Sequence, residues 1–88
     1  MSKYINIKDD KEVHLLDLRK KDNIYYEKGF DKPFTGVATL KHEDGSYRSI
    51  WKIKNGLLNG NSYTFFDSGR VRTKYLYKDG EIIKQQVR

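Results

Sequence analysis

Residues 36–59, GVATLKHEDGSYRSIWKIKNGLLN, and residues 60–83, GNSYTFFDSGRVRTKYLYKDGEII, are two copies of one 24-residue unit. Their glycines set the offset, with Gly36, Gly45 and Gly56 recurring as Gly60, Gly69 and Gly80. At the same offset Glu43 matches Asp67, Arg48 matches Arg72, Ser49 matches Thr73, Trp51 matches Tyr75, Lys54 matches Lys78 and Asn55 matches Asp79. Phe34, just upstream, matches Leu58. An internal repeat of this length marks one supersecondary unit used more than once.

The unit reads as β-hairpins. Asp44-Gly45, Asn55-Gly56, Asn59-Gly60, Ser68-Gly69 and Asp79-Gly80 are pairs that supply the positive φ angles of tight turns. Between them run segments of about eight to ten residues rich in Tyr, Phe, Thr, Ile and Val, too short for good helices and suited to strands. The expected fold is all-β, a single antiparallel β-meander of hairpin repeats, with turns at Gly45, Gly56, Gly69 and Gly80. Alternation along Tyr47–Lys54 and Val71–Lys78 gathers Tyr47, Trp51, Ile53, Val71, Tyr75 and Tyr77 on a core-like face. The opposite face collects Arg48, Lys52, Lys54, Arg72, Lys74 and Lys78, with Ile50 and Leu76 among them. Were Asp44-Gly45 and Ser68-Gly69 two-residue loops, residue 41 would face 48, 65 would face 72 and 63 would face 74; a three-residue loop with a bulge shifts that register.

Upstream, Ile24–Gly29 (IYYEKG) is a partial earlier copy of Tyr75–Gly80 (YLYKDG), joined to the next unit by a longer loop, residues 30–35, that holds the only proline, Pro33. The chain is thus read as one domain, with a lead-in over residues 1–22 and repeats over residues 23–88. Tyr4–Lys8 alternates weakly, and residues 12–20 fit a strand or a short helix about equally; a strand is expected there, with residues 20–23 turning into Ile24.

Composition narrows the function. At 88 residues there is room for one small domain, and Val, Ile, Leu and Phe total 22, enough to fold around a thin core. Without cysteine there are no disulfides, thiolate metal sites or cysteine nucleophiles, which fits a reducing compartment. No apolar run is longer than three residues, as in Ile24-Tyr25-Tyr26, far short of a signal-peptide core or a membrane span, so a soluble, cytoplasmic protein is expected. Histidines 14 and 42 lack the neighbours of a metal site, and His42 reads as a strand-end residue before a turn. The carboxylates belong to turns, and the glycines sit at hairpin spacing rather than in a phosphate-binding loop. A non-enzymatic protein without cofactors or metals is expected.

Charge points to a partner. Residues 1–45 hold nine Lys/Arg against nine Asp/Glu, whereas residues 46–88 hold nine against three, which places the whole net charge of +6 in the second half.

The run Leu18–Gly36, LRKKDNIYYEKGFDKPFTG, resembles the leading segment of bacterial MORN-repeat variant proteins, many of which carry the label of YwqK-family antitoxin. The units that follow are similar to that family's repeats, best at Gly60, Tyr63, Phe65, Phe66, Ser68-Gly69, Tyr75, Tyr77 and Lys78-Asp79-Gly80, and the resemblance covers roughly residues 15–80. The first unit departs from it, with Leu40, Lys41 and His42 where the family shows an aromatic pair. The resemblance implies a meander of MORN-like β-hairpins and a role in binding proteins or membranes, with an antitoxin-like partner as a lead.

The candidate binding residues are Arg48, Lys52, Tyr63, Phe65, Arg72 and Lys74, with the two aromatics as exposed anchors among cations. The same arrangement could equally be cation–π packing on a solvated face. An acidic protein is the expected partner. A sheet face reading anionic membrane surfaces is the alternative, and nucleic acid ranks third, because the meander matches no nucleic-acid motif. Open sheet edges at the first and last strands offer a competing site, for a partner or a second copy.

Overall fold

The computed structural model of the protein describes residues 11–87. These residues form nine strands: β1 (Glu12–His14), β2 (Leu18–Lys21), β3 (Ile24–Glu27), β4 (Gly36–Lys41), β5 (Tyr47–Lys54), β6 (Leu57–Leu58), β7 (Gly60–Phe65), β8 (Val71–Lys78) and β9 (Glu81–Val87). One turn of 3-10 helix, Leu15–Asp17, separates β1 from β2, so the lead-in combines the strand and helix readings; Tyr4–Lys8 lies outside the described residues.

The tight turns follow from their residues. Lys21 pairs with Ile24, Lys54 with Leu57 and Lys78 with Glu81, each across a two-residue reversal. Both turn residues have positive φ in every case: Asp22 52° and Asn23 67°, Asn55 51° and Gly56 80°, Asp79 49° and Gly80 87°. This is the turn whose twist matches that of the flanking strands.

The other two loops are longer. His42 N–H donates to Ser46 O (2.8 Å) and Gly45 N–H to His42 O (3.0 Å), and Phe66 and Gly69 repeat both bonds with Arg70 and Phe66 one unit later. Each such hairpin carries a bulge a few residues on. Leu40 pairs with Ser49 but Lys41 with Tyr47, leaving Arg48 as the extra residue; Thr64 pairs with Thr73 but Phe65 with Val71, leaving Arg72. The two-residue-loop register therefore holds where Tyr63 faces Lys74 and fails at the tips, where residues 41 and 65 face 47 and 71.

Strand order is β1-β4-β5-β7-β8-β9, with β6 also on β5, and β2–β3 forms a separate two-stranded sheet. The all-β reading with antiparallel hairpins holds, but the single antiparallel meander does not. The short β1 runs parallel to β4, Val13 opposite Ala38, after the 3-10 turn and the β2–β3 hairpin have carried the chain back across.

The separate hairpin is fastened at Gly56. Tyr25 N–H donates to Gly56 O (2.8 Å), Gly56 N–H to Phe34 O (2.8 Å) and Phe34 N–H to Tyr25 O (2.9 Å). Tyr25 also packs edge-on to Trp51, with ring centroids 6.0 Å apart. Beneath it lies one apolar cluster of Val13, Phe34, Ala38 and Ile53, bordered by Leu15, Leu18, Tyr25, Trp51 and Leu58.

A second cluster, Val37, Ile50, Tyr63 and Phe65, occupies the opposite face of the same strands. This corrects the expected division into one core face and one cationic face. Ile50 is core at 1% exposure, and Tyr47 and Val71 pack against its cluster because the bulges at Arg48 and Arg72 turn them to that side.

Candidate binding face

The face of Ile50 carries the cations that the sequence singles out. Alternation along β5 and β8 brings Lys52 and Lys74 onto it: Lys52 pairs with Val37 of the cluster, and Lys74 pairs with Tyr63. Arg48 and Arg72, the extra residues of the two bulges, are exposed near the hairpin tips.

Tyr63 and Phe65 are corrected. Each is only 6% exposed, their rings stacked with centroids 6.1 Å apart, so neither stands out as an anchor. Both belong to the cluster because Tyr63 lies directly across from Ile50. Lys74 Nζ sits 5.8 Å from the Tyr63 centroid and Lys41 Nζ 5.3 Å from that of Tyr47, so lysine side chains lie over the aromatic edge of the cluster. The cation–π alternative is met by Tyr63 with Lys74, though the ring is buried rather than on a solvated face, whereas Phe65 faces Val71 instead of Arg72 and packs in the cluster. Burial pushes the Tyr63 hydroxyl above its ordinary pKa, and burial followed by the Glu12 carboxylate does the same for Tyr47. Glu12 accepts from the hydroxyls of Thr39 (2.9 Å) and Tyr47 (3.3 Å), which makes the β1 end of this face acidic and hydrogen-bonded.

Towards β9 the face changes character. Asn61 pairs with Leu76, and Leu76 with Lys84, and these three with Lys74 line a groove of about 140 Å³. It holds two ammonium groups, an amide and an apolar floor, with no carboxylate in its lining. The ion pairs among the described residues are Lys11–Glu27 (2.7 Å) and His42–Asp67 (3.2 Å), and neither involves this face's lysines. Asn61, Leu76 and Lys84 as a group went unread in the sequence. A two-residue turn at Asp79-Gly80 places Ile83 opposite Leu76; the bulge in β9 puts Lys84 there instead.

A larger cleft, about 290 Å³, opens between the β2–β3 turn and the β8–β9 turn, lined by Lys20, Asn23, Tyr25, Leu57, Leu58, Asp79, Gly80 and Glu81. Its charges are mixed, and Lys20 Nζ already sits 5.2 Å over the Tyr25 ring. His42 closes its loop through its backbone and reaches Asp67 through Nδ1. Among the described residues no three His, Asp or Glu side chains gather as a metal site, and no helix is long and apolar enough to cross a membrane.

No protein-family model, no curated protein and no solved structure matches this chain.

Proposed function

We propose that the protein is a non-enzymatic β-repeat binding module of the MORN-variant kind, whose cationic face takes an acidic segment of a protein partner, in the manner of an antitoxin-like component. The observation that carries this reading is the groove of Asn61, Lys74, Leu76 and Lys84, with Lys52 on the same face and Arg72 near by in sequence on β8. Lysines without a carboxylate beside them concentrate positive potential, and a leucine between them rewards an apolar side chain flanked by acidic ones. The charge asymmetry of the chain supports the same sign of partner.

The test uses a fluorescent glutamate-rich peptide carrying one leucine, titrated with the protein in rising salt, beside vesicles of anionic and of neutral lipid. Peptide binding that weakens with salt, and that falls at least about tenfold in Arg72→Glu/Lys74→Glu, supports the reading. Binding to anionic vesicles alone favours the membrane surface instead. Peptide affinity unchanged in the double variant removes the cationic face as the site.

A further inference from the structure

The repeat has a third beginning. Advancing β6 and the start of β7 by 24 residues gives β9, with Leu57 matched by Glu81, Leu58 by Ile82, Asn59 by Ile83 and Gly60 by Lys84. The pairing recurs as well: Ile53–Leu58 and Lys54–Leu57 become Tyr77–Ile82 and Lys78–Glu81. So does the irregularity that follows. Asn59 and Gly60 interrupt the pairing along β5, Gly60 at φ 98°, and β9 carries its single-residue bulge at the matching place, Ile83. β9 thus carries one extra residue at the place where the preceding unit carries two.

A hydrogen bond links successive units. Gly56 N–H donates to Phe34 O and, 24 residues on at both ends, Gly80 N–H donates to Leu58 O, each 2.8 Å. The next acceptor by the same rule is Ile82. Its side chain is the third copy of a position that is 4% exposed in Phe34 and half-buried in Leu58, yet Ile82 is 50% exposed and Ile83 beside it 58%. β9 ends the strand order, and among the described residues nothing pairs with its outer edge.

We infer that the outer edge of β9 is an interface for a second copy of this chain, the two β9 strands pairing antiparallel about a two-fold axis. Three features select this occupant. Through Gln85, β9 carries two charges, Glu81 and Lys84, and they are opposite, so this strand contributes nothing to the chain's excess. In the register that sets Ile82 of one copy against Ile83 of the other, Glu81 meets Lys84 at both ends, a self-complementary match that a two-fold axis uses twice. The β9 strand holds no proline, and Ile82 and Ile83 on it are 50% and 58% exposed, an apolar pair that pairing with a second copy would cover. Lys84 lines the groove and also falls in this register, so the two sites share that one residue, while the backbone pairing, Ile82 and Ile83 belong to the β9 edge alone.

Sedimentation equilibrium over a concentration range up to about 1 mM tests it. A monomer–dimer equilibrium is expected that strengthens with added salt, because two chains of charge +6 repel, the opposite salt dependence to that of acidic-peptide binding. Ile82→Lys/Ile83→Lys should leave a monomer with the parent's circular dichroism. The chain has no cysteine, so mixing Ile82→Cys chains with Ile83→Cys chains under oxidation should trap the mixed disulfide dimer in preference to either like pair. A parent chain monomeric throughout the range, or a dimer that persists in the double-lysine variant, overturns the inference.

Discussion

Replacing Gly56 by alanine should undock the β2–β3 hairpin, and its magnitude can be worked from contacts. A Cβ at Gly56 would clash with Ile24 Cγ2 and stand 3.1 Å from both Tyr25 O and Pro33 Cβ, with φ at +80°. The left-handed backbone costs an alanine about 1–2 kcal/mol, and forcing apart packed atoms, one of them backbone, adds about 1–3 kcal/mol. Gly80, its copy one unit later, supplies the control: φ is +87°, but a Cβ there meets only Leu57 Cδ2 at 3.5 Å, so Gly80→Ala should lose the backbone contribution alone. Urea unfolding of both variants isolates the steric part as their difference, about 1–3 kcal/mol. Trp51, the single tryptophan, packs against Tyr25 of the docked hairpin, so its emission should shift to the red in Gly56→Ala and stay in place in Gly80→Ala. Equal destabilisation of the two variants, or an unchanged Trp51 spectrum in Gly56→Ala, would refute the docking argument.

Ile50→Ala should cost about 2–5 kcal/mol by thermal or urea unfolding, since Ile50 is 1% exposed at the centre of the second cluster; a loss within 0.5 kcal/mol, the usual range for surface substitutions, would mean that this face is solvated. Alkali should destabilise the fold: the hydroxyls of Tyr47, Tyr63 and Tyr77 are held above the ordinary 10.0, chiefly by burial, so the folded state keeps protons that the unfolded chain gives up. Stability is then present in full below pH 10 and declines as pH rises through the folded values; denaturation midpoints that stay level or rise above pH 10 contradict this. Arg72→Glu/Lys74→Glu should shift the melting free energy by no more than about 1 kcal/mol, because Arg72 is exposed and Lys74 contributes chiefly its contact with the Tyr63 ring; a larger loss would make the pair structural.

Local chemistry determined a good deal of this protein in advance. The 24-residue period, the four turn positions and the hairpin between residues 20 and 27 are written in Asn, Asp and Gly, whose tolerance of positive φ is a property of single residues. The antiparallel partnership of Tyr63 with Lys74 follows from the same turns. What the sequence left open is everything set by residues distant along the chain. One extra residue, at Arg48 and again at Arg72, reverses Tyr47 and Val71, and alternation counted along a strand has no sign for it, because a bulge is decided by the strand opposite. Tyr63 and Phe65 read as exposed aromatics beside cations and became core once Val37 and Ile50 lay alongside them. Lys84 joined the groove through a bulge in β9, and the parallel pairing of β1 with β4 comes with the β2–β3 hairpin that carries the chain between them and is held at Gly56. Turn geometry is local and so is legible in order, whereas the choice of which face is buried belongs to contacts between segments that only the folded chain brings together.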